Sequence, residues 1–137
     1  MLIREIMTKN VVTIDSNQTI LEAYKKYRDF KVGCLIVTDK DQCVGIVTER
    51  DLIERSIHRD LETTMIKEIM TSDVKTIHPF DNLEKALEII KKYKIKKLPV
   101  VSDNMVEGII TITDITYARP ELTERFMESW VKPRWED

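Results

Sequence analysis

Apolar residues along this chain follow two rhythms. Ile20, Ala23, Tyr24, Tyr27 and Phe30 fall near i, i+3, i+4 and i+7, the spacing of one helix face. Leu83, Ala86, Leu87 and Ile90 repeat that rhythm further on. Around these helices lie short apolar runs of strand length. They are Val11-Val12-Thr13-Ile14, Leu35-Ile36-Val37 and Val44-Gly45-Ile46-Val47, then Leu98-Pro99-Val100-Val101 and Gly108-Ile109-Ile110. Asp39-Lys40-Asp41 and Asp103-Asn104 supply turns between paired strands, and further helices open at Thr48 and Thr111. Thr19 followed by Glu22 predicts a helix N-cap.

The pattern is a tandem duplication. Ile3-Arg4-Glu5-Ile6-Met7-Thr8 returns as Ile66-Lys67-Glu68-Ile69-Met70-Thr71. The same shift carries Val11 to Val74, Ala23 to Ala86, Leu35 to Leu98, Gly45 to Gly108, Thr48 to Thr111 and Asp51 to Asp114. Roughly 16 of about 50 aligned positions are identical, far above chance. The predicted fold class is therefore α/β, with the order β-α-β-β-α read twice. Residues 1–60 hold the first copy and its linker, 61–118 the second, and 119–137 a helical tail. One copy of ~55 residues is a marginal fold with an uncovered sheet face. Two copies packed around a pseudo-twofold axis cover each other and bring equivalent loops to a shared cleft.

Composition narrows the function. The 137 residues carry 22 Lys and Arg against 24 Asp and Glu, a net charge of −2 that excludes a chain-wide basic field for nucleic acid. With 42% hydrophobic residues, 3 Gly and 4 Pro, the chain does not read as disordered. Cys34 and Cys43 lack a CxxC spacing and read as small core residues, while His58 and His78 are far apart, so no zinc cluster emerges. Charges interrupt every apolar stretch before it reaches a membrane span, and Met1-Leu2-Ile3-Arg4-Glu5 is not the start of a signal peptide. A cytoplasmic setting is expected. No nucleophile–base pair and no GxxxxGK[ST] loop is present, so catalysis is not expected.

Candidate chemistry sits in Gly45-Ile46-Val47-Thr48-Glu49-Arg50-Asp51 and Gly108-Ile109-Ile110-Thr111-Ile112-Thr113-Asp114, both Gly-x-x-Thr-x-x-Asp at a strand-to-helix junction. A helix N-terminus with a Thr hydroxyl favours phosphate, and an Asp one turn later can accept two hydrogen bonds from a ribose diol. Gly there permits close approach of a ligand. The same Thr-x-x-Asp is also a capping box, and the pattern alone leaves both readings open.

The repeat, with its Met-Thr start, its Leu-Pro-Val strand and its Gly-Ile-Val-Thr-x-x-Asp ending, resembles a tandem pair of CBS (cystathionine β-synthase) domains, a Bateman module, over about residues 1–118. Similar modules sit in inosine monophosphate dehydrogenase, in the γ subunit of AMP-activated protein kinase and in chloride channels. The resemblance implies a regulatory unit that binds an adenosine derivative (AMP, ADP, ATP or S-adenosylmethionine), needs no other cofactor, forms a homodimer and acts on a regulated protein of unknown identity. It assigns Asp51 and Asp114 to ribose, and Thr48, Thr111 and Thr113 to ribose or phosphate. Val11, Val12 and Val74 would line adenine. Lys96 and Lys97, just before Leu98-Pro99-Val100, would face phosphate, as would Arg50.

The copies differ where Gly33-Cys34 stands in for Lys96-Lys97 and Arg50 for Thr113, so one good nucleotide site is expected rather than two, with either Asp serving it. The rival readings are an interaction adaptor without a nucleotide, and nucleic-acid binding through Lys91, Lys92, Lys94, Lys96 and Lys97. Those lysines equally suit a solvated helix C-terminus. In the tail, Leu122, Phe126 and Trp130 form a stripe at i, i+4, i+8, with Met127, Val131 and Trp135 adding to it, to be covered by the module itself or by a second subunit.

Overall fold

The structure is a computed structural model and describes residues 1–122 and Glu124. A short lead-in helix, α1 (Ile3–Ile6), precedes β1 (Thr13–Asp15), α2 (Ile20–Phe30), β2 (Cys34–Asp39), β3 (Gln42–Thr48) and α3 (Glu49–Ser56). After a 3-10 turn at Ile66–Glu68 the series resumes with α4 (Leu83–Tyr93), β4 (Lys97–Ser102), β5 (Met105–Thr111) and α5 (Ile112–Ala118). The strands form one sheet in the order β1-β2-β3-β5-β4. β1 runs parallel to β2, while the β2–β3 and β4–β5 pairs are antiparallel.

The two hairpins are built alike. Lys40 and Asp41 have φ of 51° and 66°, and Asp103 and Asn104 have 50° and 63°, so both central residues are left-handed in each turn. Such turns match the twist of the flanking strands, and Asp and Asn tolerate them. Each hairpin also carries an irregularity one residue after its inner valine, at Val37/Thr38 and at Val100/Val101.

α2, α3, α4 and α5 each begin where a side-chain oxygen is available to cap them. Thr19 accepts from the Glu22 amide and Asn82 from the Lys85 amide. Ile20 and Ala23 of α2, and Leu83, Ala86 and Ile90 of α4, are buried on the face that the spacing predicts. Phe30 departs from the expectation. It is 59% exposed, because Lys31 leaves the helix in a left-handed cap (φ 53°) and the apolar face ends one turn earlier.

The second copy also lacks a full first strand. Ile77 makes a single parallel bridge to Val100, after which His78 and Asp81 close a turn through the His78 amide and the Asp81 carboxylate at 2.9 Å. Pro79, with no N–H to give, sits inside that turn and cannot extend a ladder.

Packing exchanges the lead-in segments between halves. Ile3, at the start of the first copy, belongs to the core of the second with Ile77, Leu83, Leu98, Ile110 and Ile115. Ile66 and Ile69, from the start of the second copy, belong to the core of the first with Ile14, Leu35, Val47 and Leu52. Main-chain bonds fix this exchange: Ile3 N–H to Asp81 C=O at 2.9 Å, and Ile66 N–H to Gln18 C=O at 2.8 Å. A third cluster, Ile36, Cys43, Ile46 and Ile109, lies between the halves, with Val11, Cys34 and Val74 packed on it. Leu122 joins the second core at 8% exposure, while Phe126, Met127, Trp130, Val131 and Trp135 lie outside the described residues.

Candidate ligand-binding cleft

Thr111 ends β5 and caps α5. Its Oγ1 accepts from the Asp114 amide at 3.1 Å, and the Asp114 carboxylate returns to the Thr111 amide through Oδ2 at 3.0 Å. The Thr111 hydroxyl donates to that same Oδ2 at 3.0 Å. This is a complete capping box, so that reading of Thr-x-x-Asp holds at the second copy. It leaves the other carboxylate oxygen, Oδ1, facing the lead-in segment, where the Thr8 hydroxyl donates to it at 3.0 Å. A carboxylate offers about four acceptor positions, so Asp114 keeps one for a further donor.

The first copy is arranged differently. Thr48 Oγ1 accepts from the Asp51 amide at 3.1 Å, but the Asp51 carboxylate does not return to the Thr48 amide. It stands 3.7 Å from Nη2 of Arg55. Nη1 of Arg55 donates to the Ile69 carbonyl at 2.9 Å and to Thr71 Oγ1 at 3.1 Å. Thr71, the counterpart of Thr8, therefore meets an arginine where Thr8 meets the aspartate itself.

A cavity of about 180 Å³ opens beside Thr111. Val11, Val12, Val32 and Ile36 of the first half make its apolar wall; Ile109, Thr111 and Lys97 of the second half face them. Thr8, Asn10, Gly33 and Cys34 complete the lining. The cleft is thus shared between the halves. It combines the early strand of copy one with the Thr-x-x-Asp end of copy two.

Lys97 supplies its charge. A Cβ on Gly33 would lie 2.8 Å from Lys97 Nζ, so the ammonium rests over the one position in that segment with no side chain. The first copy has no cation of its own at Gly33-Cys34, and the ammonium beside Gly33 comes from the second copy. Burial pushes the Cys34 thiol above its ordinary value, and the Lys97 ammonium draws it partly back. Cys34 is half-buried in the cavity wall, whereas Cys43 is buried in the central cluster. Beneath the first-copy motif, the Tyr27 hydroxyl donates to the Val47 carbonyl at 2.6 Å, and burial raises it well above the usual phenol range.

Of the residues singled out from sequence, Val11, Val12, Lys97 and Thr111 line the cavity, and Asp114 adjoins it through Thr8 and Thr111. Val74 packs on the central cluster and does not line the cavity. Pro99 is buried, with its carbonyl accepting from Ile77 at 3.1 Å. Thr48 and Asp51 do not line this cavity, although Thr48 pairs in the sheet with Cys34, which does. Lys96 and Thr113 are exposed, and the Arg50 side chain lies on the solvent side of α3, paired with Glu54 at 2.9 Å.

The glycines of the two motifs have a different role from the expected one. A Cβ at Gly108 would lie 2.7 Å from the Thr8 carbonyl oxygen, and one at Gly45 would lie 2.5 Å from Met70 Sδ and 2.9 Å from the Thr71 carbonyl oxygen. The close approach that these glycines permit is that of the exchanged lead-in segments, not of a ligand.

Thr8, Asn10, Val32, Gly33, Cys34, Ile36 and Ile109 are further lining residues. Thr8 carried a signal, since Met-Thr recurs at 7–8 and 70–71. Among the described residues, no cluster of three or more His, Cys, Asp or Glu could hold a metal, and no helix is long and apolar enough to cross a membrane.

Known proteins are similar to this chain in sequence and in shape. The chain is 37% identical to inosine-5'-monophosphate dehydrogenase of Nitrosopumilus maritimus over 81% of its own length, and it spans only 23% of that protein. Among solved structures, the CBS domain pair of protein MJ0100, in complex with 5'-methylthioadenosine and S-adenosyl-L-methionine, superimposes with a TM-score of 0.77 at 31% identity. That match covers 88% of this chain and 97% of the other. A hexameric CBS-CP12 protein from bloom-forming cyanobacteria gives a TM-score of 0.75 at 30% identity, covering 90% and 73%. The CBS domain family model matches residues 3–58 and 66–121, the two halves of the duplication. The chain belongs to the CBS domain family and carries a tandem pair of these domains.

Proposed function

We propose that this chain is a non-catalytic, cytoplasmic sensor that binds an adenosine derivative in the cleft at Thr111 and biases its contacts with another protein. The observation that carries the reading is the cavity itself, an apolar wall from one half facing Thr111 and Lys97 from the other. Its volume is below the roughly 300–1,000 Å³ of whole small-molecule pockets. The base would fill it, against Val11, Val12, Val32 and Ile36, with the ribose along the mouth. There the ribose would meet the unused acceptor position of Asp114 and the hydroxyls of Thr8 and Thr111. A neighbour in shape binds 5'-methylthioadenosine and S-adenosyl-L-methionine, which supports the adenosine class. Within that class the ammonium of Lys97 favours a phosphate and opposes a sulfonium, so AMP, ADP or ATP is favoured over S-adenosylmethionine.

Calorimetric titration of AMP, ADP, ATP and S-adenosylmethionine tests this. A phosphate-bearing nucleotide is expected to bind, Asp114→Asn to weaken it at least tenfold, and Lys97→Met to narrow the preference over S-adenosylmethionine. Silent titrations with all four against folded protein would sink the sensor and favour an adaptor; affinity for RNA that falls steeply with salt would instead favour the Lys91–Lys97 patch. The protein is expected to sediment as a homodimer.

A further inference from the structure

The 63-residue shift that relates the halves carries Asp51 to Asp114 and Thr71 back to Thr8, but it carries Arg55 to Ala118. That difference changes the hydrogen bonding at the carboxylate. At Asp114 the lead-in hydroxyl donates straight to the carboxylate, at 3.0 Å. At Asp51 a guanidinium is inserted between them. It is anchored to the lead-in segment by the Ile69 carbonyl at 2.9 Å and Thr71 Oγ1 at 3.1 Å, and its other nitrogen lies 3.7 Å from Asp51.

We propose that Arg55 acts as a built-in counterion to Asp51, so that each chain takes up one nucleoside, at Asp114, and not two. The inference rests on the nucleoside reading of the Asp114 cleft. A ribose diol recognises a carboxylate by donating to it, and at Asp51 it must compete with a charged donor tethered at two other points. The guanidinium stands 3.7 Å from the carboxylate as an ion pair, and because it is already held at Ile69 and Thr71 it incurs no new ordering cost on each encounter. Thr71 Oγ1 accepts from Arg55, whereas the Thr8 hydroxyl donates to Asp114, so the two lead-in hydroxyls are oriented differently toward their carboxylates.

The facing wall does not account for the difference. Lys75, which replaces Val12, has its ammonium turned to Asp73 at 3.4 Å and over the Tyr93 ring at 4.5 Å, and Lys96, which replaces Gly33, is exposed. Arg55 is the residue that stands beside the carboxylate and the lead-in hydroxyl in the first copy and has no counterpart in the second, where Ala118 takes its place.

Equilibrium dialysis with AMP and with 5'-methylthioadenosine measures the number of sites. Wild type is expected to bind one equivalent, and Asp51→Asn to leave both number and affinity within twofold. Arg55→Ala is expected to admit a second, weaker equivalent, which Asp51→Asn then removes from the double variant. The converse substitution, Ala118→Arg, places a guanidinium within reach of the Ile6 carbonyl and Thr8. It is expected to weaken the remaining site more than tenfold, while Ala118→Met, of similar length without the charge, costs less than threefold. Two equivalents on wild type with one lost in Asp51→Asn would overturn the proposal. So would an Arg55→Ala protein that stays at one equivalent, or equal effects of Arg and Met at 118. Should Arg55→Ala not fold, the pair at position 118 decides alone. No binding of either probe to wild type would overturn the nucleoside reading itself, a distinct outcome.

Discussion

Gly33, Gly45 and Gly108 all have ordinary negative backbone angles, so none is required by a left-handed turn; each is required by what lies against it. The neighbours differ, and so do the expected consequences of adding a methyl group. At Gly108 the nearest atom is the Thr8 carbonyl oxygen at 2.7 Å, part of a backbone held by two bonds to Ile109, at 2.8 and 2.9 Å. It cannot step aside, so Gly108→Ala is expected to destabilise by about 1–3 kcal/mol in denaturant titration, as overpacking does. At Gly33 the only close neighbour among the described residues is Lys97 Nζ, the end of a flexible side chain. Gly33→Ala is expected to shift stability by no more than about 0.5 kcal/mol while weakening AMP binding in the calorimeter, because the displaced ammonium no longer overhangs the cavity. Equal losses of stability in the two variants would show that Lys97 is packed as rigidly as backbone.

At this scale the sequence was legible as residue type and spacing, not as partner. Gly-x-x-Thr-x-x-Asp was visible twice, and its capping geometry followed from it at Thr111. That Gly108 faces Thr8 was not, because the partner lies 100 positions away. The Arg55/Ala118 difference is plain once the copies are aligned beyond residue 52, yet its meaning needs the lead-in carbonyl at Ile69 that anchors the guanidinium.

The elements followed local pattern closely where local forces decide. α2 and α4 bury the faces that their 3.6-residue rhythm marks, and the hairpins turn at Asp39–Asp41 and Asp103–Asn104. They departed where a tertiary choice intervened. The apolar lead-in Ile3–Ile6 cannot indicate from its own sequence which half will cover it, and it is covered by the other copy. Ile3 is fully buried among Leu83, Leu98 and Ile110 of the second half. Ile3→Ala is therefore expected to cost about 2–5 kcal/mol. Amide exchange should quicken first in β4 and β5, and only later in β2 and β3 beside it in sequence. Ile66→Ala should give the mirror result, loosening β2 and β3 first. If each variant loosens its own copy, the cores do not depend on the exchanged residues as their packing indicates.

On the scale of the whole molecule, the two hairpins meet each other through little main chain, and the exchanged lead-in segments supply most of the backbone bonds between the halves. β3 and β5 share the Gln42–Met105 pair and the Cys43 N–H to Asn104 C=O bond at 3.0 Å. The exchanged segments add the Thr8–Ile109 and Ile46–Thr71 bridges, and the small cluster around Ile36, Cys43, Ile46 and Ile109 fills the space between. A ligand can shift a protein only if it binds one arrangement better than another. One that rests on Val11 and Val12 from one side and on Lys97 and Thr111 from the other is sensitive to how the halves sit. Binding at that cleft is therefore expected to stabilise the pair as a unit. At one hundred times its dissociation constant, a nucleotide contributes about 2.7 kcal/mol, a rise in melting temperature of about 4–8 °C per kcal/mol at the small end of domain size and about 2–4 °C at the large end. The decisive reading is where the protection falls. Amides of Val12 and Gly33 in the first half should slow together with those of Ile109 and Thr111 in the second, in one concentration-dependent step. Protection confined to either half would mean that the ligand binds elsewhere, because a molecule seated in the shared cleft cannot restrain one wall without the other.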